Sequence, residues 1–238
     1  MIIYMGISLN NKIITFSLLL LSMVIMPRAY SESGCNDGSI NNTCVQVFVK
    51  SKAGQALVDM VVYLEPLNGQ VLEQSSQEVI VGQFDKSFTP YISVSQSKST
   101  VNFVNKDDIT HHIYSAGSDN KFSFKIRAGE TNTSTQFNHA SEVAMGCNIH
   151  DWMSGYLLVV DTPYFGKTNE KGQVSFDVSK QGKYNIVVWH PQMQAKNNRM
   201  SIEKNIVAPS AFTLTLPEDI SDTPVQKSDD DFDFLSDY

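Results

Sequence analysis

Cysteine is scarce, with three in 238 residues, and histidine nearly so, with five. That scarcity excludes a disulfide-dense scaffold, in which cross-links stand in for a core, and it leaves few residues for any site built on thiol or imidazole. Basic residues are outnumbered, 18 against 25 acidic ones, for a net charge of −7. A chain of this sign repels phosphate backbones, so no nucleic acid is expected as a partner and a basic protein surface is favoured. There is no glycine-rich phosphate loop, and no serine or cysteine nucleophile stands in a recognisable motif, so the chain is not expected to be an enzyme. The amino-terminal apolar run, Ile13 to Met26, is shorter than the roughly 18 residues a spanning helix needs.

That run follows Lys12 and precedes Pro27-Arg28-Ala29-Tyr30-Ser31, the order of a signal peptide with small residues at its cleavage site. The expectation is a leader over 1–31, a periplasmic or secreted mature chain, and no membrane insertion after cleavage. Removal takes Lys12 and Arg28 but no acid, so 16 basic residues remain against 25 acidic, a net charge of −9. Export puts the thiols in an oxidising compartment. Cys35 and Cys44 lie close together among glycine, asparagine and aspartate, and 32–44 reads as a disulfide-closed loop, worth about 2.5 to 3 kcal/mol in the chain-entropy model. Cys147 is left over, and an odd thiol in an exported chain calls for metal ligation, intermolecular pairing or deep burial.

The mature chain reads as β throughout. Val45, Val47 and Val49 alternate with mostly polar neighbours, the period of a half-buried strand, and Met60 to Pro66 follows after a glycine turn. This opening resembles an immunoglobulin-like module. One short strand is expected within 67–90, then strands at Tyr91–Val94, Thr100–Val104, Lys121–Arg127 and Ser134–Phe137. In the Lys121–Arg127 run, Phe122, Phe124 and Ile126 face a core. Gly155 to Val160 is apolar on both faces, as in a strand buried between two layers. Val174–Val178, Tyr184–Trp189 and Phe212–Leu216 complete the pattern, and no amphipathic helix is apparent. The fold class is all-β, a sandwich or barrel. The acidic stretch 217–238, with Asp229-Asp230-Asp231-Phe232, reads as a disordered tail.

One segment holds chemistry. In Gly146-Cys147-Asn148-Ile149-His150-Asp151-Trp152-Met153 a thiol, an imidazole and a thioether recur at steps of three, so a single tight turn can direct all three at one ion. Thiolate and thioether select copper, and imidazole suits several metals. A structural zinc would use the cysteine and histidines but gain nothing from methionine. The second imidazole must come from upstream, from His111 or His112. His139 and His190 have no ligand spacing to anything.

This Cys-x-x-His-x-x-Met turn with its upstream histidine resembles the type 1 copper site of cupredoxins, and its spacing resembles the short ligand loop of amicyanin. In that family a His-Asn-Val step carries the first ligand. Here His111-His112-Ile113 stands at that step, so the resemblance assigns His111, while His112, where asparagine is usual, remains the alternative ligand. Val62-Tyr63-Leu64-Glu65-Pro66, His111 to Ser115, Gly146 to Met153 and Trp189-His190-Pro191 together resemble exported cupredoxin-like proteins labelled as methylamine-utilisation proteins. The resemblance implies a Greek-key cupredoxin β-sandwich over 78–161. The flanking segments 45–77 and 162–216 would build an additional immunoglobulin-like β module.

It also implies one type 1 copper held by His111, Cys147, His150 and Met153, passing single electrons between redox partners. A dinuclear centre would want a second cysteine in the loop, and a second catalytic copper would want more histidines. The other function class is a copper-binding module that stores or delivers the ion without redox work; reversible one-electron cycling with copper retained separates the two, and a metal-free structural β protein is the remaining reading. Placed in a turn, His150 is expected to bring its ring edge to the surface, with Trp152 and Asp151 beside it as a contact face. The expected partner is a redox protein, a basic c-type cytochrome or a dehydrogenase.

Overall fold

The computed structural model describes residues 43–74, 78–117 and 120–227, with the backbone alone over 133–136. The expected leader 1–31, Cys35 and the last stretch of the acidic tail lie outside these residues. Among the described residues sixteen strands run in order as β1 Cys44–Lys50, β2 Val61–Pro66, β3 Val79–Phe84, β4 Ser87–Thr89, β5 Ile92–Gln96, β6 Thr100–Asn105, β7 His111–Ser115 and β8 Ser123–Ile126. They continue as β9 Thr131–Gln136, β10 Ser141–Cys147, β11 Ser154–Val160, β12 Phe165–Lys167, β13 Gln173–Asp177, β14 Gly182–Trp189, β15 Arg199–Ile206 and β16 Ser210–Thr215. Among the described residues the one helical element is a 3-10 turn, Lys196–Asn198. The chain is all-β, built as sandwiches.

The first sandwich pairs the sheet β13-β1-β16 with the sheet β12-β2-β14-β15. Alternation in β1 explains its core: Val45, Val47 and Val49 are fully buried against Val62, Leu64, Ile186 and Val188. The second sandwich pairs β4-β3-β6-β9 with β5-β11-β10-β7-β8. Its core gathers Val81, Phe103, Ile113, Val143, Met145 and Leu157, with Phe122 and Phe124 packed against the edge.

A third apolar layer joins them. Val61, Tyr63, Val187 and Trp189 from the first sandwich meet Ile92, Leu158 and Val160 from the second. Three sequence runs, Val61 to Leu64, Leu157 to Val160 and Ile186 to Trp189, are apolar at every position because each strand has a core on both faces. In β11, Leu157 and Val159 point into the second sandwich while Leu158 and Val160 point into the junction. At about 1.5–3 kcal/mol per buried aliphatic side chain, the five aliphatics of this layer contribute on the order of 10 kcal/mol before ordering costs. A polar clamp closes one side: Arg199 donates to Glu142 Oε1 (2.6 Å) and to the Tyr63 hydroxyl (3.0 Å). Burial pushes Tyr63 up to about 12, so it stays a neutral phenol.

The structure corrects the sequence reading in several places. The 67–90 segment holds two strands, β3 and β4, as a tight hairpin whose turn residues Asp85 and Lys86 have φ of 52° and 53°. The strand expected at Ser134–Phe137 begins earlier, at Thr131, and pairs with β6. Strands β12 and β15 were not anticipated. The segment 217–227 is not a free tail. Ile220 bridges to Met193, and the Gln226 side chain brackets Phe88, accepting from its amide (2.9 Å) and donating to its carbonyl (3.1 Å). Ser87 Oγ donates to the Gln226 carbonyl at 2.8 Å. These bonds satisfy backbone groups of the short strand β4, which accounts for the order of a segment whose composition alone reads as solvated.

Candidate metal centre

Strand parity decides which side chains reach the core of the second sandwich. In β7, His111 and Ile113 point inward and His112 points outward; in β10, Val143, Met145 and Cys147 point inward. Pairing sets Cys147 opposite Ile113, which makes Cys147 and His111 diagonal neighbours on one buried face. After Cys147 the chain turns, Met153 N–H donates to the His150 carbonyl (3.0 Å), and β11 begins. Two glycines allow the flanking packing. A Cβ at Gly146 would lie 2.8 Å from the Tyr114 ring, and one at Gly155 would lie 2.9 Å from Phe88.

The result is a group of three buried ligand atoms. Cys147 Sγ lies 3.7 Å from His111 Nδ1 and 3.8 Å from His150 Nδ1, and all three atoms fall within 4.8 Å of one another. Among the described residues this is the cluster of metal-ligating groups that forms. Met153 is buried in the same apolar cluster as Cys147. The spacing can be tested against an ion. For bonds of about 2.3 Å to sulfur and about 2.0 Å to nitrogen, separations of 3.7 and 3.8 Å correspond to S–ion–N angles of about 120°, whereas a tetrahedral angle would bring sulfur and nitrogen to about 3.5 Å. Both sulfur–nitrogen separations suit near-trigonal angles at the ion, and the buried Met153 thioether lies in the same apolar cluster as Cys147. That combination fits copper better than a structural zinc.

Electrostatics prepares the thiol for a cation. Burial alone would raise the Cys147 pKa, but hydrogen bonds from His111 and from the Ile149 and His112 backbones outweigh it, and the net shift is downward. His111 moves the other way: burial would lower it, but its contacts with Cys147 and Asp107 leave it raised. The downward shift favours the thiolate, the form of the sulfur that ligates a metal.

The remaining expected residues fall elsewhere. His112 lies on the outer face, where Asn148 Nδ2 donates to its Nδ1 (2.9 Å), leaving Nε2–H for Ser123 Oγ (3.0 Å). Asn148 N–H also donates to the His112 carbonyl at 2.9 Å. So His112 braces the loop from outside, away from the three inward donors. His139 is exposed, and His190 is buried at the end of β14, outside the cluster. His150 does not come to the surface as expected: it is 4% exposed. The Trp152 ring lies against it at 5.2 Å between centroids, tilted by 50°. Trp152 is half-buried, and Ile149 and Asp151 are exposed beside it. Asp107, whose Oδ2 lies 2.7 Å from His111 Nε2, was missed. A carboxylate four residues before the histidine was the available signal.

No family model matches the chain, and no curated protein matches it in sequence. Solved structures that resemble parts of it include a copper-containing nitrite reductase from Thermus scotoductus, at 25% identity and TM-score 0.33 over 40% of this chain. The match spans 24% of that enzyme, about a quarter of its length. A purple cupredoxin from Nitrosopumilus maritimus matches at 19% identity and TM-score 0.30, over 34% of this chain and 97% of its own. An oxidised amicyanin variant matches at 15% identity and TM-score 0.32, over 37% of this chain and 86% of its own. At these scores the likenesses carry no weight for the site, whose case is its own geometry.

Proposed function

We propose that the chain is an exported single-electron carrier with one type 1 copper, held by His111, Cys147 and His150 with Met153 as the weak fourth ligand. The observation that carries the reading is the close approach of one buried thiol, its pKa lowered, to two buried Nδ1 atoms 3.7 and 3.8 Å from it. Copper, when bound, supplies a one-electron couple. The protein's part is to hold the donors still and dry. Cys147 ends one strand of a sheet, His111 begins another, and the turn between β10 and β11 is closed by the Met153–His150 hydrogen bond, so the three donors are set before any ion arrives. A site whose ligands need not move suits both oxidation states, since little reorganises as the electron passes.

Trp152 lies where His150 would otherwise meet solvent, so the reading places the electron's exit at Trp152 with Asp151 and Ile149 around it. A net charge of −9 on the mature chain favours a basic redox protein, such as a c-type cytochrome, as partner. The test is the visible spectrum of the copper-loaded, oxidised protein. Intense thiolate-to-copper absorption is expected, abolished in Cys147→Ser and retained in Met153→Leu with a shifted potential. A coloured Cys147→Ser protein refutes the assignment.

A further inference from the structure

Asp107 stands at the mouth of the β6–β7 loop, with its side chain 9% exposed, and its Oδ2 accepts from His111 Nε2–H at 2.7 Å. A carboxylate can only accept, so Nε2 carries a proton and Nδ1, on the Cys147 side, is the nitrogen left to bind a metal. The carboxylate is itself held. Its Oδ1 accepts from the Asp85 amide (2.7 Å) and its Oδ2 from the Lys86 amide (3.1 Å), both in the β3–β4 turn. Asp107 N–H donates to Asn105 Oδ1 (2.9 Å), and the 1% exposed Asn105 is anchored in turn on the Ile109 (2.7 Å) and Ile126 (3.1 Å) carbonyls. Four backbone positions therefore fix one carboxylate against one imidazole. With His111 fully buried, water screens this negative charge poorly.

We infer that Asp107 is a positioning residue for the metal centre, fixing the tautomer and ring angle of His111 and lending the ligand negative charge that favours the more positive, oxidised ion. The inference rests on the copper reading above. Carboxylate–histidine partners raise ligand basicity, and their loss typically costs about 10–100-fold in metal affinity. Cu(II) is more positive than Cu(I), so the loss falls mainly on Cu(II).

Asp107→Asn tests this, because it keeps the side chain's size and removes the charge. The expected result is a coloured protein whose affinity for Cu(II) relative to Cu(I) falls about tenfold, which raises the potential by about 59 mV. Lys98→Val separates this from a general loss of stability: valine at φ 67° strains the β5–β6 turn of the same sandwich, and Lys98 makes none of the bonds that hold Asp107. That variant should melt earlier with an unchanged potential. In wild type loaded with Cu(I), nitrogen NMR should show His111 protonated at Nε2. An unprotonated Nε2 overturns the inference even if Asp107→Asn does not fold. An unchanged potential in a coloured Asp107→Asn protein, or an equal shift in Lys98→Val, overturns it and leaves the copper reading standing. A wild type without the thiolate band overturns both.

Discussion

His190 should make the protein acid-labile in a calculable way. It follows the last residue of β14 in a 4% exposed position, and its Nδ1 accepts from the Gln192 amide at 3.2 Å, so the native ring is neutral with its proton on Nε2. Burial depresses its pKa from 6.5 to about 4; Asp59 opposes that shift and Lys167, paired with Asp59 at 2.8 Å, adds to it. In the unfolded chain the ring takes a proton below about pH 6.5. Between 6.5 and 4 the unfolded state thus binds more protons than the native one, and stability falls as pH falls through that window. The contribution is whole above 6.5. Integrating at about 1.36 kcal/mol per pKa unit, the loss at pH 4.5 relative to pH 7.5 is about 2.5 kcal/mol. That is a large share of the roughly 5–15 kcal/mol that holds a typical domain together. Urea melts of metal-free wild type and His190→Gln at both pH values measure it, with equal slopes required for a fair comparison. Carboxylates titrate in both proteins, so the difference isolates the imidazole. The variant should lose about 2.5 kcal/mol less than wild type on acidification. Equal losses would refute the reasoning.

His111→Ala should lose the copper spectrum and His112→Ala should keep it, since only His111 points inward; the absorption of the two loaded variants checks this, and the reverse result would move the ligand by one residue. Trp152→Ala should slow electron exchange with a basic partner by more than it changes the copper spectrum. Raised salt should slow wild type too, as the Debye length falls from about 10 Å at 0.1 M to about 3 Å at 1 M. Stopped-flow rates over a salt series check both: normal rates with a disturbed spectrum would make Trp152 a packing residue, and rates indifferent to salt would remove the charge-steered partner.

What could be read from the sequence depended on how a strand is buried. β1 alternates, and Val61 to Leu64, Leu157 to Val160 and Ile186 to Trp189 are apolar at every position, so β1, β2, β11 and β14 stand out. Strand β15 is hidden for the opposite reason. It is an edge strand paired, among the described residues, only with β14, so half of its side chains, Ser201, Glu203, Lys204 and Asn205, face solvent and leave no period to see. β12 is three residues long and half-buried, too short for any pattern. The 217–227 segment was misread because composition reports what side chains prefer. It does not report that Gln226 can complete the hydrogen bonding of a three-residue strand far back in the chain.

The site divides along the same line. Ligand type and spacing are local, so Cys147, His150 and Met153 announce themselves as a group. The choice between His111 and His112 is a matter of strand parity. It depends on the register of β7 against β10 and β8, which no nearby residue reveals. The burial of His150 is less local still. A turn residue is exposed by default, and here an adjacent aromatic ring folds back over it. The same holds for the rigidity that the proposed electron transfer requires. The ligand turn runs from the end of β10 to the start of β11, and β11 is gripped on one face by the core of the second sandwich and on the other by the first. Gly155 against Phe88 and the Gln226 bracket on Phe88 hold the neighbouring strand β4 in place. Residues remote in sequence thus limit how far Cys147 and Met153 can separate. Among the described residues no member of the His111, Cys147 and His150 cluster comes from the first sandwich, yet that sandwich is part of what keeps the three at this spacing.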